Sequence, residues 1–84
     1  MKNIRFTEHA LEQCNERGAS EDEVKKTILN GIREDAKKGR EQCKLNFQFK
    51  SLWNDQYYSI KQVVAIIIEE NDEIIVITVY TFYF

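Results

Sequence analysis

The C-terminal third of the chain is the segment that most constrains the fold. Residues 57–69 and 73–83 are rich in Ile, Val, Tyr and Thr, the residues that fit a pleated and half-buried surface. The dipeptide Asn71-Asp72 between them suits a two-residue hairpin turn. Neither apolar run is long enough to span a bilayer as a helix. The sequence therefore predicts an antiparallel hairpin.

This turn implies a register in which Glu70 lies opposite Glu73, and the register assigns two faces to the hairpin. One face is wholly aliphatic and is predicted to be core, with the pairs Ile68/Ile75, Ile66/Ile77 and Val64/Val79. The other face carries Ile67/Val76, Ala65/Thr78 and Val63/Tyr80, and continues into Phe82 and Phe84. A stripe of Thr78, Tyr80 and Phe82 is a candidate binding surface, since exposed apolar patches usually mark contacts. The alternative is that a helix or a partner subunit covers it.

Two helices are predicted in the first third of the chain. Thr7 can cap a helix over residues 8–17, in which Ala10, Leu11 and Cys14 are spaced to face the core and Gly18 suits the end. Ser20 and Glu23 then form a capping box for a helix over residues 21–30, which ends at Asn30-Gly31.

The middle of the chain contains two further predicted strands. A short strand over residues 32–37 is followed by a turn at Lys38-Gly39-Arg40. Strict alternation then places Cys43, Leu45, Phe47 and Phe49 on one side of a strand and polar residues on the other, and residues 51–56 read as a polar connection. The predicted fold is α+β, a single domain over residues 1–84 with two N-terminal helices packed on one face of an antiparallel four-stranded sheet.

Charge and composition limit the kinds of function that this chain can have. Twelve Lys and Arg against fourteen Asp and Glu give a net charge of −2, a poor profile for a stand-alone nucleic-acid binder. A basic middle segment stands out all the same, and its simplest interpretation is solvated surface: Arg33, Lys37, Lys38, Arg40, Lys44 and Lys50. The first eight residues contain no apolar signal region, so we expect a cytoplasmic protein without membrane attachment. Cys14 and Cys43 are then expected to be reduced, buried thiols.

The chain offers few residues for catalysis. It has one histidine and no C-x-x-C motif, phosphate-binding loop or nucleophile elbow, so we expect no metal site and no cofactor. His9, Gln13 and Arg17 follow each other at intervals of four and share one face of the first helix. Histidine suits proton transfer near neutral pH and arginine suits a phosphate. The alternative is that His9 is a surface or capping residue that packs on Phe6.

Several motifs together resemble a known family. They are Phe6-Thr7-x-His9-Ala10, Arg17-Gly18, Ser20-x-x-Glu23-Val24, the Asn30-Gly31 stop and Ile77-Thr78-Val79-Tyr80. This pattern is similar to the small prokaryotic family called domain of unknown function 4258, with Gln13 standing where the family pattern has arginine. That family resembles the RelE and BrnT type of toxin, small endoribonucleases with helices on one side of an antiparallel sheet and RNA on the other.

The resemblance implies a site and partners. His9, Arg17 and Tyr80 would be catalytic in a metal-independent cleavage of RNA, and the RNA-binding residues would be Gln13, Lys37, Lys38, Arg40 and Thr78. RNA would be the substrate and an antitoxin-like protein the partner. The alternative is a non-catalytic interaction module, which forms a homodimer or binds a protein partner through the strand that ends at Phe84.

Overall fold

The structure, a computed structural model, describes residues 2–84. Its elements follow the order β1 (Asn3–Phe6), α1 (Glu8–Arg17), α2 (Glu21–Asn30), β2 (Ile32–Asp35), a 3-10 turn (Lys37–Gly39), β3 (Glu41–Trp53), β4 (Gln56–Glu69) and β5 (Glu73–Tyr83). The strands form one sheet in the order β1-β5-β4-β3-β2. Within residues 2–84 no helix is long and apolar enough to cross a membrane.

Both predicted helices are confirmed, at the predicted boundaries, because local capping sets them. The Thr7 hydroxyl accepts a hydrogen bond from the Ala10 N–H at 3.1 Å, and Gly18 ends α1 in the left-handed conformation with φ 76°. The Ser20 hydroxyl and the Glu23 carboxylate complete the capping box of α2. One core assignment is wrong: Ala10 and Cys14 are buried, but Leu11 is exposed.

The α+β class is confirmed, but the sheet is five-stranded and mixed rather than four-stranded and antiparallel. The additional strand is β1, which pairs in parallel with β5, Asn3 opposite Glu73 and Phe6 opposite Val76. A four-residue segment carries little periodicity of its own, and its partner lies at the other end of the chain. Ile4 and Phe6, which pack against the core, were the only signal for this strand.

The boundaries in the middle of the sheet also differ from the prediction. β2 ends at Asp35, two residues before the predicted end, and the predicted turn at residues 38–40 largely coincides with the 3-10 turn, in which Lys38 and Gly39 have φ of 62° and 71°. The predicted polar connection over residues 51–56 is mostly strand. Its turn is limited to Asn54 and Asp55, both with positive φ, as in the tight hairpin turns that match strand twist.

The predicted register of the C-terminal hairpin is confirmed next to its turn and wrong beyond it. The Glu70 N–H donates to the Glu73 carbonyl at 2.8 Å, and Ile68 pairs with Ile75 as predicted. A β-bulge then shifts the register by one residue, so that Ile66 lies opposite Thr78 and Val64 opposite Tyr80. Ile77 is the additional residue on β5, and a bulge of this kind has no signature in the alternation of the sequence.

The helices cover the face of the hairpin that was predicted to be non-core. Buried residues predicted to be on this face are Val63, Ala65, Ile67 and Val76, and the bulge adds Val79, which was predicted to be core; they pack against Ala10, Cys14, Val24 and Ile28 of the helices. The core assignment of Ile66, Ile68 and Ile75 was therefore wrong, since they are only partly buried on the opposite side, whereas the burial of Val64 and Val79 is confirmed. Because small and β-branched side chains let a helix approach closely, the face with Ala65 suits the helices better.

The two cysteines are buried and unpaired, as predicted. Cys14 is 6% exposed and Cys43 is inaccessible, and burial raises the pKa of both thiols. Because only the thiolate attacks a thiol reagent, we expect both cysteines to stay unlabelled at neutral pH on the time scale in which a free thiol reacts completely. Labelling should accelerate only across the urea unfolding transition. Fast labelling of folded protein would contradict this burial.

Candidate functional site

Helix α1 protects the outer edge of β5 where β1 ends. Strand β1 pairs only with Glu73–Val76. Further along the edge, the Gln13 side-chain oxygen accepts from the Val79 N–H at 2.8 Å, and the Arg17 Nη1 donates to the Val79 carbonyl at 2.6 Å. Two side chains one helical turn apart thus replace the hydrogen bonds of a neighbouring strand. Gln13 is buried as a result, with 7% of its surface exposed.

Arg17 reaches around this edge to the sheet face that the helices leave uncovered, which we call the open face. The centre of its guanidinium lies 5.1 Å from the centroid of the Tyr80 ring, within the range of a cation–π contact. The backbone carbonyl of Arg17 accepts hydrogen bonds from Thr81 Oγ1 at 2.8 Å and from the Tyr83 hydroxyl at 2.7 Å. The end of α1 is therefore fixed to β5, and the guanidinium keeps N–H donors that Val79 does not use.

The open face carries a line of exposed aromatic side chains along β5. Tyr80, Phe82 and Phe84 are 41%, 51% and 57% exposed. They occupy every second position, so their side chains point to the same side of the sheet. The register places Tyr80 beside Val64 of β4, Val64 beside Lys44 of β3, and Lys44 beside Ile32 of β2. A shallow groove lies on this face, lined by Gln42, Lys44, Gln62, Val64, Tyr80 and Phe82. It combines an apolar floor with aromatic, amide and cationic walls.

The distribution of ion pairs leaves positive charge at this groove. Glu69 pairs with Lys2 at 2.6 Å and with Arg33 at 2.5 Å, and these hydrogen bonds lower the pKa of Glu69. Arg5 pairs in the same way with Glu73. Within residues 2–84 neither Arg17 nor Lys44 has a carboxylate partner of this kind. The net charge of −2 is thus a poor guide to the local charge at the groove.

The sequence model of a family described as Domain of unknown function (DUF4258) matches residues 6–81. The chain belongs to this family. The resemblance drawn from the helix-one and last-strand motifs is confirmed at the level of DUF4258. No curated protein and no solved structure shows significant similarity to the chain.

In the DUF4258 domain, five of the predicted site residues lie along the edge of β5 that α1 covers. His9, Gln13 and Arg17 lie on α1, and Thr78 and Tyr80 lie on the strand that α1 flanks. Of these, Arg17 and Tyr80 are in direct contact. His9 is exposed in the first turn of α1, about 12 Å along the helix axis from Arg17 at 1.5 Å per residue. It is not among the residues that line the groove beside Tyr80.

The other predicted RNA-binding residues lie elsewhere in the DUF4258 domain. Lys37, Lys38 and Arg40 belong to the connection between β2 and β3, on the far side of β4 from Tyr80. Their role in RNA binding stays a prediction. Gln13 has its side-chain oxygen committed to Val79, which gives it a structural task that the sequence did not reveal.

Sequence reasoning missed the polar side of the groove. Gln42, Lys44 and Gln62 line it, and the alternation of β3 had already placed Lys44 on a wet face. Because the bulge was not predicted, Tyr80 was paired with Val63 rather than with Val64, and nothing linked that wet face to Tyr80. In residues 2–84 no three His, Cys, Asp or Glu side chains are grouped as metal ligands would be.

Proposed function

We propose that this DUF4258 domain is a RelE-like endoribonuclease that binds single-stranded RNA where α1 meets the open face. The observation that supports this best is the position of Arg17. Its guanidinium is fixed by the Val79 carbonyl and the Tyr80 ring at the rim of an uncovered sheet face. A fixed guanidinium with free N–H donors is the group that binds a phosphodiester in two-point geometry.

The proposed reaction is transfer of the RNA phosphate to its own 2′-oxygen. The 2′-hydroxyl attacks phosphorus, a base removes its proton, the bond from phosphorus to the 5′-oxygen breaks, and an acid protonates that oxygen. Arg17 stabilises the negative charge that builds on the phosphate oxygens. Tyr80 stacks on a base and presents its hydroxyl beside Arg17. His9 lies about 12 Å from Arg17 along α1, out of hydrogen-bond reach of a phosphate held there, so the Tyr80 hydroxyl is assigned the proton transfer.

Cleavage of a single-stranded RNA by the purified protein tests this proposal. We expect Tyr80→Phe, which keeps the ring and removes the hydroxyl, to lower the cleavage rate about 100-fold or more, the usual contribution of a general acid or base. Arg17→Lys keeps the positive charge but not the two-point geometry, and we expect it to lower the rate as well. Glu12→Ala, an exposed substitution on the same helix, is the matched control and should cleave like the parent.

Expression in growing cells gives a second measurement. Growth arrest on induction, relieved by Tyr80→Phe and Arg17→Lys but not by Glu12→Ala, is the expected result. If the folded parent protein neither binds nor cleaves RNA at low salt, the proposal is wrong.

The exposed aromatic stripe favours one other candidate function, a non-catalytic module that binds a protein partner or a second copy. Phe82 and Phe84 together form the kind of apolar surface that usually marks a protein contact. Under this alternative the protein is a dimer in solution, or pairs with an antitoxin-like protein. Replacing Phe82 and Phe84 with serine abolishes that association, whereas His9→Ala leaves it intact.

A further inference from the structure

The groove on the open face has the chemistry of a site for one flat, polar-edged ring. Val64, 5% exposed, forms its floor. Tyr80 and Phe82 border it on β5, and Gln62 lies directly opposite Phe82. Aromatic side chains on a sheet are a common platform on which single-stranded bases stack. Lys44 borders the groove on the β3 side and can neutralise a phosphate next to such a base.

Among the polar side chains that line the groove, Gln62 is held in a fixed orientation by a hydrogen bond to Asn46. It lies opposite Asn46 in the β3–β4 pairing, and its Nε2 donates to Asn46 Oδ1 at 2.9 Å. This bond leaves the Gln62 Oε1 as an acceptor and one Nε2–H as a donor. An amide that presents an acceptor beside a donor matches the N6 amino group and N7 of adenine.

We propose that this groove selects adenine, with Gln62 as the base-reading residue and Asn46 as the residue that positions it. The inference rests on the proposed RNA binding and assigns its base preference. On the same edge, guanine presents two acceptors, cytosine only an amino donor and uracil only a carbonyl acceptor. When a base is read at this edge, each of these three leaves one Gln62 group without a partner, and adenine alone satisfies both.

A second groove continues the path beyond Gln62 and Lys44. These two residues also line a depression bordered by Asn30, Gly31 and Ile32 at the end of α2. Tyr80, Val64, Lys44 and Ile32 therefore follow each other on four adjacent strands, about 14 Å at the usual strand spacing, and Arg17 lies beyond Tyr80. A strand of RNA can cross the sheet along this line, with Arg17 and Lys44 at successive phosphates and the adenine between them.

Binding of short oligonucleotides tests the selectivity without any cleavage. The probes are 2′-O-methyl hexamers of uridine with one variable base, because 2′-O-methylation removes the nucleophile, and fluorescence anisotropy gives the Kd. We expect adenine at the variable position to bind about tenfold more tightly than guanine, cytosine or uracil, the usual discrimination of a two-point contact. A 7-deazaadenine probe, which lacks the N7 acceptor, should lose most of this advantage.

Variants separate base reading from folding and from general RNA affinity. Asn46→Ala should reduce the preference for adenine at least threefold, and Asn46→Asp should restore it, since a carboxylate still accepts from the Gln62 amide. Gln48→Ala, an exposed substitution on the same strand, is the matched control. Equal binding of all four hexamers overturns the adenine assignment while RNA binding stands. Absence of any binding at low salt overturns the proposed function as well.

Discussion

Replacing Gly31 with alanine is expected to lower the free energy of unfolding by about 3 kcal/mol, the upper end of the usual cost of overpacking. Gly31 follows α2 and lies against β3. A Cβ there would lie 2.5 Å from the Thr27 carbonyl oxygen and still closer to the Lys44 carbonyl oxygen. Both atoms belong to the backbone, so no side-chain rotation relieves the contact, and α2 must move away from β3. Urea unfolding followed by circular dichroism measures the loss.

Gly39 provides the matched control for this substitution. It has φ of 71°, which alanine adopts only with strain, but no atom lies within 4 Å of the position of its Cβ. Gly39→Ala therefore reports the backbone cost alone, about 1 kcal/mol. Gly31 has an ordinary extended backbone with φ of −81°, so its substitution reports the close approach alone. Equal stability of the two variants would contradict the packing of α2 on β3.

Replacing Lys61 with alanine is expected to destabilise the fold by about 3 kcal/mol, because it removes one partner of a largely buried ion pair. Lys61 is 6% exposed. Its Nζ donates to the Gly18 carbonyl and to the Glu23 carboxylate, each at 2.8 Å, and lies 5.3 Å from the centre of the Phe49 ring. This ammonium group joins the ends of both helices to the middle of β4. Thermal and urea unfolding measure the loss.

A double-mutant cycle separates the ion pair from the packing of the lysine stem. Lys61→Met keeps the apolar stem, and Glu23→Gln keeps a side chain that can serve in the capping box of α2. Each single variant should be less stable than the parent, because it leaves a charged or polar partner without its counterpart. The double variant should recover at least half of the summed loss. Strict additivity would show that the two side chains do not interact.

The helices were predictable because their ends are determined by neighbours in sequence. Thr7, Gly18 and the Ser20/Glu23 box lie within one turn of the boundaries that they set. Capping interactions of this kind can be predicted directly from the order of the residues. The same holds for the register next to the C-terminal turn, where Glu70 and Glu73 are only three positions apart.

The sheet was less predictable because its decisive features are not local. The parallel partner of β1 is β5, at the other end of the chain, and the bulge at Ile77 exchanges the two faces of β5 halfway along it. A single additional residue moves every later side chain to the opposite side. The stripe of Thr78, Tyr80 and Phe82 therefore shares one face as predicted, but its neighbours on β4 are Ile66, Val64 and Gln62.

The candidate site was predictable as a set of residues on α1 and β5 but not as a geometry. Spacing placed His9, Gln13 and Arg17 on one helix face, and the resemblance added Tyr80. Nothing in the sequence indicated that Gln13 and Arg17 bind the edge of β5. That arrangement depends on where β1 stops, which leaves Val79 for the helix to cover.

The position of β5 between β1 and β4 has a consequence for the order of assembly. The ribosome makes this strand last among the described elements, yet it lies inside the sheet and carries most of the contacts of α1. Until β5 has emerged, β1 and α1 have no surface on which to dock, and their apolar side chains stay in water. Chains with so many distant pairings fold slowly. During synthesis α2 can already pack on β3 and β4, whereas α1 and β1 dock only in the final step.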